Sequence, residues 1–559
     1  MLIKINKTSQ TGLKKDVQFD NKVFYYHVFG SLYLENENED EVIKAILDNN
    51  RSYLAKLIGN FTIVVLDPTS GKVSIVSDRP GKQNIFYHIG KGSLTISDDF
   101  WEIKTALSFG VDDLDVTAIK QQIVFFTGLN ERTIIKGVKT VPAATALKIE
   151  LEKESVLSER YWQFSYLDNQ LSYDDKLDLI DETFTNALGT VKALNPNEAS
   201  FAVGISGGLD SRIIPYYAQK NGMQIEGFTI GLERPRKLFL SNDFNSANKI
   251  AEHFGLERRT LEYNSIPLKT QLDMESNLAP EVGSQIFKIV DVRELKSNVL
   301  ITGASGFVIG ASPLYSSIKH SPLLDHTLLY QSLLGTKPKA AKVKKAINSF
   351  TGLSLDFKPK LNMSGFGDFF TKSELDECVA DIEAFYAKLG TLSNSEKLMN
   401  YAIFGLGRNN AKGAFESFLG QKDSYSIYTP FFLDTVQQFN EDELLNRQLF
   451  QEFIAKRLPE LSAIQGQDFK PTLSGKPNPI TMVSRKLLAM GNFVIRGSGV
   501  MNYENWVKSN EFKQLKTRLD SDTKSIQTEL GLSFDYGDHR VHPALQQNIL
   551  KMQNILSKI

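Results

Sequence analysis

The first 160 or so residues carry short apolar runs of strand length with few helical stripes between them. Phe61-Thr-Ile-Val-Val-Leu-Asp67 and Lys72-Val-Ser-Ile-Val-Ser77, separated by a Pro68-to-Gly71 turn, predict a hairpin. Ser93-Leu-Thr-Ile-Ser97 and Ala146-Leu-Lys-Ile-Glu150 predict more sheet. One helical stripe interrupts them: Val42, Ile43, Ile46, Leu47, Leu54 and Leu57 share a face, with Gly59 as the expected C-terminal cap. From about residue 175 the pattern alternates. Strands are predicted at Phe201 to Ile205, Gln224 to Ile230, Arg259 to Tyr263 and Asn298 to Thr302. Between them lie a helix from near Ser211 to Lys220, with Pro215 in its early turns, and a second marked by Ala247, Ile250, Ala251 and Phe254 and stopped by Gly255. Strand-helix-strand order implies a parallel sheet with ligands beyond the carboxyl ends of its strands. Past about 320 the pattern is mostly helical, with polar connections around 337–345 and 465–479. The expected class is α/β, divided into a strand-rich domain over 1–165 and a parallel-sheet domain over 175–559 whose later part is helical.

One strand end carries chemistry. Phe201 to Ile205 runs into Ser206-Gly-Gly-Leu-Asp-Ser211 and then into a helix. A Gly-Gly pair alone is an ordinary turn, but here it joins a buried strand to a helix start and is flanked by two hydroxyls and a carboxylate. Gly207 and Gly208 permit backbone angles that let successive N–H groups converge on an anion. The helix start behind them adds unpaired donors and the positive end of its dipole. Ser206 and Ser211 supply hydroxyls, and Asp210 is a candidate ligand for a Mg²⁺ bridging phosphate oxygens. The string has no Lys-Ser/Thr ending and does not satisfy G-x-G-x-x-G, which excludes a Walker A loop and a dinucleotide fingerprint.

Composition narrows the setting. With 559 residues, 42% hydrophobic and 23% charged, the chain is long enough for two or three globular domains. A net charge of −1 gives no electrostatic case for a nucleic-acid or anionic-membrane partner. The single cysteine, Cys378, excludes an internal disulfide framework and any cysteine metal cluster, and fits a reducing compartment. No stretch approaches the ~18 apolar residues of a membrane span, and the start has no signal-like apolar region, so the expected location is cytoplasmic.

Ser206-Gly-Gly-Leu-Asp-Ser211 resembles the PP-loop of the ATP pyrophosphatases, and its Leu209-Asp210-Ser211 form is most similar to asparagine synthetase and its relatives. Further pieces carry the resemblance from about 55 to 480. They are Gly59-Asn-Phe61, the hairpin, Asp78-Arg-Pro-Gly-Lys-Gln-Asn-Ile-Phe-Tyr87 and Val138-Lys-Thr-Val-Pro142, then Tyr428-Thr-Pro-Phe-Phe-Leu-Asp434, Leu444-Leu-Asn-Arg447 and Leu458-Pro459. The resemblance implies a glutamine amidotransferase-like (Ntn-type) domain ahead of a synthetase domain. It further implies ATP with Mg²⁺ as cofactors, cleavage of ATP to AMP and pyrophosphate, and small-molecule or peptide carboxylate and amine substrates. A homodimer stays possible. Ser206, Gly207, Gly208, Leu209, Asp210 and Ser211 would hold the phosphates, with Thr229 and Gly231 where the family contacts adenine and ribose. Gly303, opening the turn after the last predicted strand, would face the same nucleotide.

The chain departs from the family at three places. The family's glutaminase nucleophile is a Cys following the initiator Met, whereas position 2 is Leu2; glutamine hydrolysis is therefore not expected, and the N-terminal domain is read as a scaffold. The loop after the fourth strand carries acidic residues in relatives and reads Gly303-Ala-Ser-Gly-Phe-Val308 here. The family's Glu and Arg before the Pro-Phe-Leu-Asp element correspond to Ser426 and Tyr428. Relatives place a catalytic Lys shortly after the Leu-Pro element; Lys470 and Lys476 are the candidates, and spacing does not choose between them. Tyr428 or Tyr315 is the candidate to accept the amine proton. The expected activity is an AMP-forming amide ligase without its own glutaminase, asparagine synthetase-like or a cyclase of a peptide or specialised metabolite. The competing class is a non-catalytic homologue that binds nucleotide or a protein partner.

Overall fold

The computed structural model describes residues 1–559 other than 7–8, 34–37, 126–127, 168–170, 232–242, 263–265, 278–288, 305, 307, 310–369, 405–417, 421–422, 445–446, 465–508 and 533–542. The chain is a mixed α/β protein in which antiparallel sheets precede a parallel one. The first sheet runs, in spatial order, Ser155–Arg160, Thr145–Glu150, Lys72–Ser77, Ile58–Asp67, Lys22–Tyr33 and Lys15–Phe19. A second sheet orders Gln10–Thr11, Leu2–Asn6, Ser93–Ser97, Phe86–Gly90 and Val138–Thr140.

The apolar run at Ile58–Asp67 has a physical cause, since both faces of the strand are buried. Val64 and Leu66 point into the core between the two sheets, beside Ile3, Ile75, Leu94 and Leu147. Phe61, Ile63 and Val65 point the other way, into a core that continues through Phe184, Tyr217, Phe432 and Phe453. One hydrophobic core therefore spans the junction between the two halves. Polar ties close it further: Lys82 Nζ donates to the Ser424 carbonyl at 3.2 Å, and Arg79 meets Asp434 at 2.5 Å.

The single helix expected over 42–57 is two. Glu39–Leu47 ends where Asn49 adopts φ +55°, and Asn50 then caps Arg51–Leu54 by accepting the Tyr53 N–H at 3.1 Å. Asn tolerates the left-handed region and is a strong N-cap, so the break is local chemistry that the apolar stripe conceals. Gly59 is not a helix cap; it lies inside the following strand, paired with Leu32.

The third sheet is parallel throughout, in the order Arg258–Glu262, Ile225–Gly231, Phe201–Gly204, Val299–Thr302 and Asp423–Ser426. Phe201 stands opposite Ile225 on one side and Val299 on the other, which puts the central strand's carboxyl end at the phosphate-loop string. The helix Asp210–Lys220 leaves that loop and buries Arg212, Ile213, Ile214 and Tyr217. Pro215 is its sixth residue, past the first turn, and the helix continues through it. Tyr173–Leu194, started by a Ser172–Asp175 capping box, buries Leu177, Ile180, Phe184 and Leu188 against the same core.

The C-terminal residues close the fold. In the last described helix, Pro543–Leu556, Ile549, Met552, Ile555 and Leu556 pack with Phe86, Phe100, Ile103 and Ile119. No helix among the described residues is long and apolar enough to cross a membrane.

Candidate functional site

The loop 206–211 is shaped by its own hydroxyls. Ser206 N–H donates to Ser211 Oγ at 2.6 Å, the two Oγ atoms lie 2.8 Å apart, and Gly208 N–H donates to Ser206 Oγ at 3.1 Å. These bonds draw the loop into a tight turn and bring the opening of the helix, at Asp210, against the strand end. Leu209 is buried in the shared core while its carbonyl accepts the N–H groups of Arg212 and Ile213, which starts the helix. Thr229, 1% exposed, donates its hydroxyl to the Ile205 carbonyl at 2.7 Å, and Gly231 ends the neighbouring strand. The Thr229 side chain thus braces the end of the central strand.

Three distant segments converge on Asp210. A Cβ placed on Gly303 would stand 2.4 Å from Asp210 Cβ and 2.7 Å from its Cγ, so glycine is what allows the end of Val299–Thr302 to approach the start of the loop's helix. Ser426 Oγ donates to the Ala304 carbonyl at 2.6 Å, and Ile427 N–H to the Thr302 carbonyl at 3.2 Å, which tie the 303 turn to the fifth strand. That strand delivers Tyr428, fully buried, whose O–H donates to Asp210 Oδ1. On the other carboxylate oxygen, Arg447 Nη1 lies 3.5 Å from Oδ2.

Burial raises the Asp210 carboxyl above its ordinary range, although Arg447 and the Tyr428 hydrogen bond both favour its charge. Burial also pushes the Tyr428 phenol well above its usual value, and the Asp210 carboxylate adds to the push. A phenol so placed keeps its proton at neutral pH. Tyr428 therefore acts as a donor that orients Asp210, a poor position from which to accept an amine proton.

The expectation that Asp210 holds Mg²⁺ meets a carboxylate facing a phenol on one oxygen and a guanidinium on the other. The adjoining turn 303–308 has no carboxylate, and no group of three or more His, Cys, Asp or Glu that could hold a metal occurs among the described residues. This donor set does not fit a protein-held Mg²⁺, which needs its carboxylate free toward the ion.

Of the expected site residues, the fold brings together Ser206, Gly208, Asp210, Ser211, Gly303 and Tyr428. Gly207 lies within the same loop. Lys470, Lys476 and Tyr315 lie outside the described residues. Arg447 is the residue to which sequence reasoning gave no role; it stands in the quoted Leu444-to-Arg447 element, and only the fold places it beside residue 210. Arg212 is another: its buried guanidinium donates to the carbonyls of Leu461 at 2.9 Å and Ile464 at 2.5 Å, locking the loop's helix to the segment after Leu458-Pro459. Cys378 is buried, with its thiol pushed up to about 11 by that burial, so it is inert at neutral pH. In the first domain, the Met1 amino group pairs with Asp98 and, at 3.0 Å, with Glu102, and Leu2 stands opposite Ser97.

Comparison with known families agrees with this order of parts. A pattern described as a glutamine amidotransferase domain matches residues 33–162, and one described as asparagine synthase matches 190–269, across the phosphate loop. The chain is thus similar to asparagine synthetases across 190–269. Amidase chyE of Penicillium rubens is 24% identical over 198 residues, and that match covers 34% of this chain and 28% of the relative's length. Among solved structures, NMN synthetase from Francisella tularensis matches at 20% identity over 17% of this chain and 35% of that one, with a TM-score of 0.13. NH3-dependent NAD synthetase from Campylobacter jejuni subsp. jejuni NCTC 11168 matches at 15% identity over 45% and 99%, with a TM-score of 0.17.

Proposed function

We propose that this chain is an ATP-dependent, AMP-forming amide ligase that takes its amine directly rather than from glutamine. The reading rests on the hydroxyl-closed loop Ser206 to Ser211 at the carboxyl end of the central parallel strand, beside Gly303. In the reaction, a substrate carboxylate oxygen attacks the α-phosphorus of ATP and pyrophosphate leaves. An amine then attacks the acyl carbon, AMP leaves, and the amine gives up a proton. The helix start, with the loop N–H groups other than those of Ser206 and Gly208 that close the loop on itself, steadies the departing pyrophosphate, where preorganised donors are worth most. In this reading the amidotransferase-like part serves as a scaffold, with Leu2 held in a strand paired to Ser97.

The altered 303–308 turn favours a carboxylate other than aspartate, on a peptide or small metabolite. Purified protein incubated with ATP, panels of amino acids and peptides, and ammonium or amines is expected to form AMP and pyrophosphate in equal amounts, with both acceptor and amine required. Glutamine in the same mixture should yield no glutamate. Glutamate release would refute the scaffold reading. Nucleotide binding without pyrophosphate under any combination would identify the chain as a non-catalytic homologue instead.

A further inference from the structure

We infer that the guanidinium of Arg447 serves as the fixed counter-charge of the phosphate loop, so that this chain binds its nucleotide without help from a divalent ion. The inference rests on the nucleotide site proposed above and concerns how that site handles charge. A polyphosphate settling on the loop at Ser206 to Ser211 arrives beside the Asp210 carboxylate, and two negative groups at that distance repel each other. A protein can cancel the repulsion with a bound metal or with a cation of its own. Here the carboxylate is already engaged on both sides. Tyr428 donates to Oδ1, and Arg447 Nη1 stands 3.5 Å from Oδ2.

The placement of Arg447 is built into the backbone. It occupies the N-cap position of Gln448–Arg457 with φ +60° and ψ +34°, a left-handed conformation that a side chain beyond glycine adopts infrequently. Such backbones persist where surrounding structure holds them, and they concentrate at functional positions. Its side chain keeps 30% exposure, so the guanidinium is not sealed in the core beside Asp210. Among the described residues Arg447 makes no other ion pair. A guanidinium has five donors in a planar fork, enough to stay on the carboxylate and still reach a phosphate oxygen. The segment 303–308 has no carboxylate, so it offers a metal no second acidic ligand beside Asp210 and adds no charge that a further cation would have to offset.

Calorimetric titration with a non-hydrolysable ATP analogue, once in EDTA and once in excess Mg²⁺, tests this. For the wild-type chain the two affinities should agree within about threefold. Arg447→Gln should weaken binding in EDTA by about tenfold or more, the scale of one lost charge-assisted contact, and recover part of that loss when Mg²⁺ is added. Arg447→Lys should keep most of the metal-free affinity. A variant damaged only in its fold would lose affinity equally in both buffers, which would overturn the inference, as would a wild-type chain that binds only with Mg²⁺. Failure to bind under either condition would overturn the nucleotide site itself, a different result from metal-dependent binding.

Discussion

Alanine at position 303 should lower pyrophosphate formation by about 100-fold, the scale of a misplacement of roughly 1 Å at reacting groups. The added methyl carbon would lie 2.4 Å from Asp210 Cβ, closer than non-bonded carbons approach, so one of the two segments must move. Neither is free to do so. Asp210 opens a helix and is held by Tyr428 and Arg447, while the 303 turn is fastened through Ser426 to the fifth strand. The strain is a contact strain at an ordinary backbone angle, and overpacking of this kind costs about 1–3 kcal/mol of stability. Thermal unfolding should accordingly show a modestly destabilised but folded protein, with the activity loss far exceeding the stability loss. Full pyrophosphate formation by a folded Gly303→Ala variant would mean that the position of Asp210 is irrelevant to the chemistry.

What the sequence revealed, and what it hid, follows from the reach of each signal. The strands Lys72–Ser77 and Ser93–Ser97 are where their apolar runs place them, and the loop at 206–211 joins a strand to a helix as its glycines and serines imply. Those signals are local: a run of β-branched residues or a Gly-Gly turn reports on its own few residues. The fifth parallel strand, Asp-Ser-Tyr-Ser at 423–426, has no apolar run because it lies at the sheet edge, where only Ser426 is fully buried. Its value to the site is that it carries Tyr428, 218 positions away from Asp210 in the chain. Arg447 is equally remote. Contacts of that range depend on how strands order themselves in the sheet, and periodicity holds no record of the order. The helix break at Asn49 and Asn50 is the opposite case, a local signal overshadowed by a longer apolar stripe.

Phe184→Ala should be strongly destabilising, costing about 3–5 kcal/mol, the range for emptying a buried aromatic position. Phe184 is fully buried on Tyr173–Leu194, with ring centroids 4.5 Å from Phe432, 5.1 Å from Tyr217 and 6.3 Å from Tyr428. These neighbours come from the phosphate loop's helix and from the Tyr428-to-Asp434 segment, so the ring is a shared wall behind the site. Removing it leaves a cavity that no one element can fill, because each is fixed by its own sheet or helix contacts. The denaturant midpoint should drop well below that of the wild type. Leu157→Ala, on an edge strand and 55% exposed, should change it by no more than about 0.5 kcal/mol in equivalent terms. The substitution should also reach the site. With its ring support gone, Tyr428 has room to move from Asp210, and nucleotide affinity should fall along with stability. If stability dropped while affinity stayed at the wild-type value, the aromatic wall would be a packing device only, and the orientation of Asp210 would have to come from Arg447 alone.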